Sequence, residues 1–438
     1  MRRMESKFTF FKAGQGSFYG GRIWQHETNQ VFTVVYDCGT SPFIAGNNQS
    51  LNNEINHFKN RPHYFPRNNN EIELLFISHL DYDHVSGLKR LLTEFQVKNI
   101  ILPYIEKKHR QFFLTSVADN NDPDNNLTID EYISFIESPS QFIVQNSNGT
   151  KQFYIKPNVK TEIKYQGYDN NNNQSDNVYP RGTPNNDTIE LIGQPNVSVY
   201  ENDLQFFIKR NWEFTTFAKS VSETAIDKLH CCLKKKLNKN VTDDLSLDDL
   251  KNIVTTNRKE AHKCYTDCIG DINSHGLVLL HGPIRFEHLY GDFYSNCELN
   301  NFHNDYRYHR HFYDEHHFNN NNGSMLGTLL FGDTSINPNN NPIVFPNAFK
   351  DKLVNVHVVQ VPHHGSSKNW DFAEFEALNI GDNVNRWGHR VIAVCNFGYG
   401  NKFGHPSHQV LNDLRSTIFL NSQFSRLNIR YDIIHPRQ

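Results

Sequence analysis

The chain has 438 residues, of which 44 are Lys or Arg and 47 are Asp or Glu, so its formal net charge is −3 at pH 7 with neutral histidines. This near-balance excludes a polycation that binds nucleic acid by bulk charge alone, and any nucleic-acid site must therefore be local. Hydrophobic residues make up 37% and aromatic residues 13% of the chain, which is enough for a sizeable core and argues against disorder of the whole chain.

Short apolar runs and segments of helical spacing alternate at both ends of the chain, which indicates an α/β (α+β) fold. The runs predict strands, in chain order, within 8–38, 72–103, 276–280, 326–333, 355–361 and 390–395. Helical spacing predicts helices at 84–95 and 407–415, and another around 128–137. The Asn-rich patches 168–177, 319–322 and 337–341 predict loops.

Two stretches differ from this pattern and are predicted to be large insertions into a core formed by 1–104 and 271–438. Residues 105–270 are expected to be mostly helical, with Ser246 as the N-cap of a helix inside the stretch 222–268. Residues 281–325 are expected to be a loop insertion rich in His and aromatic residues. This loop either lines a substrate cleft or lies at the surface.

Membrane and redox signals are weak in this sequence. No apolar run approaches the roughly 18 residues that cross a bilayer, and the N-terminus lacks the apolar stretch of a secretory signal. The 7 cysteines include no C-x-x-C pair, and Cys264 and Cys268 are expected to be reduced thiols on a helical segment. We therefore expect a cytoplasmic protein with no membrane contact.

Segment 72–88 holds a close group of potential metal ligands. An apolar strand ends there at Ser78, and four polar side chains follow. These are His79, Asp81, Asp83 and His84. Imidazole and carboxylate groups clustered at a strand end suit Zn, Mn or Fe, and burying them unpaired would cost several kcal/mol. The alternative is a polar loop whose side chains only cap the following helix. The spacing favours the metal site.

The H-x-D-x-D-H pattern, with Gly87 and Leu88 after it, resembles the signature of the metallo-β-lactamase fold in its ComEC-like branch, which includes the metal-binding domain of DNA-uptake proteins. Further segments resemble that branch in chain order: GQG at 14–16, VVYDCG at 34–39, DINSHGLVLL at 271–280, LLFGDTS at 329–335, VVQVPHHGSS at 358–367 and NKFGHPSHQVL at 401–411. This chain is similar to a stand-alone, soluble member without a membrane channel.

The resemblance implies an αββα sandwich with one or two divalent metal ions at the sheet edge. Asp83 and His84 would bind one ion, Asp333 would bridge two ions or complete one site, and His364 or its neighbour His363 would supply a later ligand. The metal ligands implied are thus His79, Asp81, Asp83, His84, Asp333, His363 and His364. Bound metal would provide hydroxide at neutral pH.

This chain departs from many members of the family in carrying Asp81 where they have His. An oxygen-rich site shifts the preference toward Mn²⁺ or Mg²⁺ without excluding Zn²⁺. We expect the site of Asp83, His84, Asp333 and His364 to be complete, and the site that uses His79 to be weaker. His109 and His275 are candidates for a missing histidine ligand.

Other residues receive roles from their position in these motifs or close to them in the sequence. Catalytic roles are expected for Asp81, Asp83 and His405, the last as a proton shuttle. Substrate-binding roles are expected for Ser366, Ser367 and Lys402, although the two serines can instead cap a helix that starts near Asn369. Lys368 and Arg386 could also offset phosphate charge. Asp37 and Gly14 are expected to serve turn geometry and strand termination.

The resemblance implies a metal-dependent hydrolase, most specifically a phosphodiesterase or nuclease that acts on DNA by metal-hydroxide attack. It also implies an antiviral effector in a bacterial defence or conflict system, with an operon-encoded protein partner bound to 105–270. A hydrolase of small or cyclic nucleotides is the enzymatic alternative. A sensor or assembly subunit with a structural metal is the third hypothesis.

Overall fold

The computed structural model describes most of the chain. The described residues are 2–41, 48–60, 70–110, 113–116, 127–157, 165, 178–185, 191, 194–209, 211–219, 223–239, 246, 248–249, 252, 256, 258–269, 276–284, 290–299, 316–319, 327–382, 391–401, 403–415, 418–422 and 425–435.

Eighteen strands lie within these residues. In chain order they are β1 (Arg2–Phe10), β2 (Phe18–Gln25), β3 (Gln30–Cys38), β4 (Glu71–Phe76), β5 (Gln96–Pro103), β6 (Lys151–Ile155), β7 (Val178–Arg181), β8 (Val197–Tyr200), β9 (Gln205–Ile208), β10 (Trp212–Lys219), β11 (Gly276–Pro283), β12 (Tyr290–Leu299), β13 (His316–Asn319), β14 (Gly327–Leu330), β15 (Val356–Gln360), β16 (Ile392–Asn396), β17 (Ile418–Asn421) and β18 (Ser425–His435).

Helices connect and cover these strands. They are α1 (Asn48–Asn60), α2 (Tyr82–Val85), α3 (Leu88–Glu94), α4 (Lys107–Arg110), α5 (Phe113–Ser116), α6 (Ile129–Glu137), α7 (Pro139–Asn146), α8 (Glu223–Lys236), α9 (Arg258–Ile269), α10 (Asn347–Leu353), α11 (Phe372–Ala377) and α12 (His408–Leu414). A 3₁₀ turn spans Pro362–Gly365. Among the described residues, no helix is both long and apolar enough to span a bilayer.

The strands form two mixed sheets that pack face to face with helices outside, which is the αββα sandwich expected from the sequence. The first sheet has the order β13-β12-β18-β1-β2-β3-β4-β5-β6-β8, and the second has the order β17-β16-β15-β14-β11-β10-β9-β7. A buried cluster that includes Phe8, Val34, Leu279 and Val358 fills the space between the sheets. Since alternate strand residues face opposite ways, each sheet also presents an apolar face to its helices.

The expectation of a mostly helical insertion at 105–270 needs correction, because this stretch also supplies strands to both sheets. β6 pairs in parallel with β5 of the first sheet, and β10 pairs in antiparallel fashion with β11 of the second. The sequence carries the signal in QFYI, VSVY, QFFI and WEFTTFAK, since aromatic and β-branched residues favour strands. The sandwich is therefore built partly from residues assigned to the insertion.

A second correction concerns 281–325, which is not entirely a loop. β12 pairs along its whole length with β18, and β13 pairs with β12. Both strands extend the first sheet beyond β1 and β18. The remaining residues of this stretch, except those at the end of β11 and Ile284, lie outside the described part of the chain.

Several local predictions are confirmed by the described residues. Helix α6 begins after Thr128, whose hydroxyl accepts from Glu131 N while the Glu131 carboxylate accepts from Thr128 N. Ser246 Oγ likewise accepts from Asp249 N at 3.2 Å. Residues 337–341 form a loop as expected, whereas 168–177 and most of 319–322 lie outside the described residues.

The expectation that Cys264 is a reduced thiol is wrong, because Cys264 forms a disulfide with Cys232. Helices α8 and α9 pack side by side and bring the two Cα atoms to 5.7 Å, within the range that a disulfide spans. No pattern in the sequence indicated this pair, since 32 residues separate the two cysteines. The Cys268 side chain lies outside the described part of the structure.

Candidate metal centre

The site lies where the parallel strands of both sheets end on the same side of the sandwich. In the first sheet β3, β4 and β5 run parallel, and in the second β14, β15 and β16 do so. The two sheets are joined here by a backbone hydrogen bond of 2.6 Å from Leu277 N to Ser78 O. Loops that follow the carboxyl ends of parallel strands commonly carry functional side chains.

These strand ends bring distant residues of the sequence together. Asp83 and His84 come from α2 after β4, Asp333 follows β14, and His364 follows β15. One potential ligand atom from each of these four residues lies within 4.8 Å of the others, and the same holds for the group His79, Asp81 and Asp83. The structure thus assembles both groups that the sequence pattern suggested.

Asp333 stands between two pairs of histidines. Its Oδ1 lies 3.2 Å from His84 Nε2 and 3.6 Å from His364 Nε2. Its Oδ2 lies 3.9 Å from His79 Nε2 and 3.8 Å from His363 Nε2. The carboxylate therefore offers one oxygen to each of two neighbouring positions. His363 lies on the His79 side, where the sequence lacked a convincing histidine.

The residues fit a metal ion on the chemistry of their donor atoms. The Nε2 atoms of His79, His84 and His364 are buried and form no hydrogen bond with any part of the chain that the structure describes. Leaving buried imidazole nitrogens unsatisfied costs free energy, and all three face Asp333 oxygens. A divalent cation would satisfy these nitrogens and the carboxylates together.

The capping alternative does not describe Asp81. This residue is the N-cap of α2, yet its side chain makes no capping hydrogen bond with that helix. Its Oδ2 lies instead 3.6 Å from His79 Nε2, and its side chain is buried. The Asp81 carboxylate is thus directed toward the histidine cluster.

The electrostatics of the cluster show strong mutual stabilisation of opposite charges. Burial lowers the pKa of His84, but the carboxylates of Asp333, Asp37 and Asp83 outweigh burial and hold that pKa well above its ordinary value. Burial raises the pKa of Asp333, but the charges of His364, His84 and His363 hold it well below the ordinary value. Protons therefore occupy imidazoles that a cation would need, so metal and protons compete.

Asp37 has a role that the sequence reading missed. Its Oδ2 accepts from His84 Nδ1 at 2.7 Å, while its two oxygens also accept from Ser78 N and Ser78 Oγ at 2.7 Å. Ser78 Oγ in turn lies 2.9 Å from His79 Nδ1. A buried carboxylate that holds the far nitrogen of a ligating histidine fixes its ring orientation. The expectation that Asp37 serves only strand termination is therefore corrected.

The two glycine motifs of the first hairpin make room for the site. A Cβ on Gly39 would approach Asp83 O to 2.4 Å, and one on Gly16 would approach the same atom to 2.7 Å. Neither position has space for a side chain against the start of α2. Gly14 has φ +70°, a left-handed conformation that glycine adopts freely, in agreement with its predicted turn role.

The backbone after β15 is strained where it presents the two imidazoles. His363 and His364 both have positive φ, at 44° and 52°, and Gly365 continues the run at φ 78°. Left-handed backbone costs a non-glycine residue roughly 1–2 kcal/mol. Backbone strain of this kind persists when surrounding contacts enforce it and is common at functional sites. Here His363 N donates to Gly332 O and His364 Nδ1 lies 3.0 Å from Asn396 O.

His405 lies at the mouth of the cluster. Its ring centroid is 5.7 Å from that of His363, and its side chain is partly buried. Burial lowers the pKa of His405 to about 3, with further lowering from the charges of His363, His364 and Lys368. The imidazole is therefore neutral at pH 7.

The predicted substrate-binding residues differ in their burial and in whether the structure describes them. Ser366 is buried and Ser367 is exposed beside the paired histidines. Neither caps the next helix, because α11 begins at Phe372 and Asp371 caps it by accepting from Glu374 N at 3.0 Å. Lys402 lies outside the described residues.

The two further histidine candidates receive no support as ligands. His109 is buried in α4 and belongs to neither of the potential metal-binding groups found among the described residues. His275 lies outside the part of the chain that the structure describes.

Fold and site together define a two-sheet αββα protein with a buried His/Asp centre at the carboxyl ends of its strands. The family model of the metallo-beta-lactamase superfamily matches residues 30–149, a stretch that contains β3, β4 and the His79–His84 motif. This match supports the placement of the chain in that superfamily, and with it a metal-dependent hydrolase. No curated protein matches the chain.

Proposed function

We propose that this protein is a phosphodiesterase that cleaves DNA with one or two divalent metal ions. The observation that carries the proposal is the position of Asp333, whose two oxygens face separate pairs of histidines. Paired ions can clamp both the attacking and the leaving oxygen of a phosphodiester. A carboxylate between two histidine pairs suits that arrangement.

The two ion positions would share Asp333 and otherwise use different residues of this chain. One position would use Asp83, His84, Asp333 and His364, and the other would use His79, Asp81, Asp333 and His363. A bound divalent cation would supply an activated water near neutral pH and polarise a phosphoryl oxygen. Each position would offer two imidazoles and two carboxylates. The carboxylates shift the preference toward Mn²⁺ or Mg²⁺ without excluding Zn²⁺, because imidazole also suits zinc.

We assign proton transfer at the leaving oxygen to His405. Its imidazole lies beside His363, and burial lowers its pKa to about 3, so the ring is a weak base while the site holds no substrate. The negative charge of a bound phosphate would raise this pKa and let the ring pass a proton to the leaving alkoxide oxygen. Asp37 and Ser78 would meanwhile keep the imidazoles of His84 and His79 oriented, without touching the substrate.

The choice of DNA rests on the resemblance to the ComEC-like branch. Lys368, four residues after His364, is exposed. Such a cation can offset phosphate charge even though the whole chain has a net charge of −3. An effector role in bacterial defence, with a protein partner on 105–270, stays a prediction from the resemblance.

A cleavage assay tests this proposal. Single-stranded and supercoiled DNA are incubated with Mn²⁺ and either the unmodified protein, Asp83→Ala or Asp333→Ala. We expect cleavage by the unmodified protein alone, with both variants inactive although circular dichroism shows that they are folded. Equal cleavage by all three proteins would contradict the proposal, and so would hydrolysis of small cyclic nucleotides with no cleavage of DNA.

A further inference from the structure

The loop after β16 is braced from both ends by one side chain. Asn401 Nδ2 donates to Gly398 O and to His405 O, each at 2.7 Å. Its Oδ1 accepts from Phe403 N and His405 N, each at 3.1 Å. All the hydrogen-bonding capacity of the Asn401 amide near this turn thus serves to fix the path of the loop.

The described residues of this loop, 397–401 and 403–405, also contact the first sheet. Gly398 N donates to Gln15 Oε1 at 3.2 Å, which connects it to the Gly14–Gly16 segment of the opening hairpin. The loop then continues into Ser407, whose N donates to Gly365 O beside the paired histidines. Its shape is therefore set by contacts on both sides of the metal centre.

Two large aromatic side chains project from this braced loop into solvent. Tyr399 is 52% exposed and Phe403 is 47% exposed. Within the described part of the chain, they are the only aromatic residues among the exposed large hydrophobic side chains. Exposed rings on a fixed loop can stack on a planar ligand with little loss of conformational freedom.

Each ring is partly supported by a neighbour. The Tyr399 ring lies 4.9 Å from the Phe397 ring at an interplanar angle of 61°. The Phe403 ring lies 6.0 Å from the His405 ring at 18°, so the two are nearly parallel. Phe403 is thus one ring away from the proposed proton-transfer residue, and His405 is in turn 5.7 Å from His363.

We propose that Tyr399 and Phe403 form an aromatic platform that stacks on an unpaired nucleobase beside the bond to be cleaved, so that the site takes single-stranded DNA. This inference rests on the proposed phosphodiesterase function. Base–aromatic stacking tolerates any sequence, because every base presents a π-face. In a duplex those faces are covered by neighbouring base pairs, so a platform of this kind favours single strands.

The exposed Lys368 complements the platform. Lys368 follows the paired histidines by four residues, and its side chain is exposed. A nucleotide bound here would set its base on the platform and its phosphate near Lys368 and the histidines. Aromatic rings next to cationic groups are the usual construction of single-strand binding sites.

The test is a binding experiment that does not depend on cleavage. The full chain carrying Asp333→Asn, which blocks the proposed chemistry, is titrated into a fluorescein-labelled oligothymidine, an abasic strand of equal length and a duplex. Anisotropy is measured with Tyr399 and Phe403 intact and with both changed to alanine. Val144→Ala, at a 51% exposed residue on α7, is the matched control.

We expect the double variant to bind oligothymidine about 5–140-fold more weakly, since stacking is worth about 1–3 kcal/mol per base. The abasic strand should bind equally to both proteins, and Val144→Ala should change nothing. An unchanged Kd for oligothymidine, an equal loss for the abasic strand, or a duplex bound as tightly as the single strand would each overturn the platform. If the unmodified protein shows no Mn²⁺-dependent cleavage while this binding pattern is present, that result would instead count against the phosphodiesterase proposal alone.

Discussion

Buried His281 and the buried histidines of the metal centre differ in the hydrogen-bond partners of their ring nitrogens and in the direction of their pKa shifts. His281 lies at the centre of the sheets, where Tyr19 OH is 2.9 Å from its Nε2 and Trp212 Nε1 donates to its Nδ1 at 3.2 Å. Both ring nitrogens are thus satisfied by neutral groups. At the metal centre, the Nε2 atoms of His84 and His364 face carboxylates and have no hydrogen bond among the described residues.

The pKa shifts of the two groups have opposite directions for the same reason. Burial lowers the pKa of His281 to about 3, since no carboxylate opposes it. Burial also acts on His84, but Asp333, Asp37 and Asp83 raise its pKa well above the ordinary value. A histidine with satisfied nitrogens and a lowered pKa is structural, whereas one with an orphaned nitrogen beside carboxylates is suited to a cation.

The largest expected effect is the loss of activity when the carboxylate of the metal centre is changed. Asp333→Asn should reduce Mn²⁺-dependent phosphodiesterase activity by at least about 10³-fold, because it removes the charge shared by both proposed ion positions and several kcal/mol of transition-state stabilisation. The measurement is kcat/KM on single-stranded DNA. Asp130→Asn, at an exposed residue in the first turn of α6, should retain full activity. Comparable losses of kcat/KM in Asp333→Asn and Asp130→Asn would contradict a specific role of Asp333.

Metal removal should affect only one histidine group. Saturation with Mn²⁺ at 100 times its Kd should stabilise the chelator-treated protein by about 2.7 kcal/mol, seen as a rise in Tm. His84→Ala should abolish this rise, while His281→Gln should lower Tm throughout but keep the rise. A rise that survives in His84→Ala would place the ion elsewhere.

Asp37 offers a finer test, since it touches His84 without belonging to either potential ligand group. Asp37→Asn should weaken Mn²⁺ binding by about 10–100-fold, the usual cost of losing such a supporting carboxylate. Calorimetric titration measures the change. The matched control is Asp413→Asn, whose carboxylate accepts from Trp370 Nε1 at 2.9 Å, away from the proposed ligands. Equal affinities of Asp37→Asn and the unmodified protein would return Asp37 to a turn-forming role.

A further expected effect is a pH dependence of stability that belongs to His281. Its folded pKa of about 3 lies below the unfolded value of 6.5, so the unfolded chain binds a proton first as pH falls. Stability should therefore fall by about 1.4 kcal/mol per pH unit from pH 6.5 toward pH 3. His281→Gln should lack this slope in denaturant titrations. Identical slopes in both proteins would show that His281 is not buried in its neutral form.

The sequence predicted the residues at the metal centre better than the strands at the outer edges of the two sheets. His79, Asp83, Asp333 and His364 each follow an apolar run, and chain order alone places such residues at strand ends. Asp37 was missed because its partner His84 is 47 residues away, and only the pairing of β3 with β4 brings them together. The same limit explains the missed disulfide.

The short strands of 105–270 show another limit. β8 and β9 have four residues each, and their apolar patterns gain a meaning only when neighbouring strands pair with them. The place of His363 beside His79 likewise depends on positive φ at two successive residues, a conformation that residue type does not predict outside glycine.

Anomalous diffraction from crystals soaked in Mn²⁺ tests the central claim most directly. The account predicts an ion within about 2.0–2.3 Å of Asp333 Oδ1, His84 Nε2 and His364 Nε2, typical of bonds from a transition metal to nitrogen or oxygen. Crystals in which these three atoms bind no ion, although Mn²⁺ is present at saturating concentration, would contradict it.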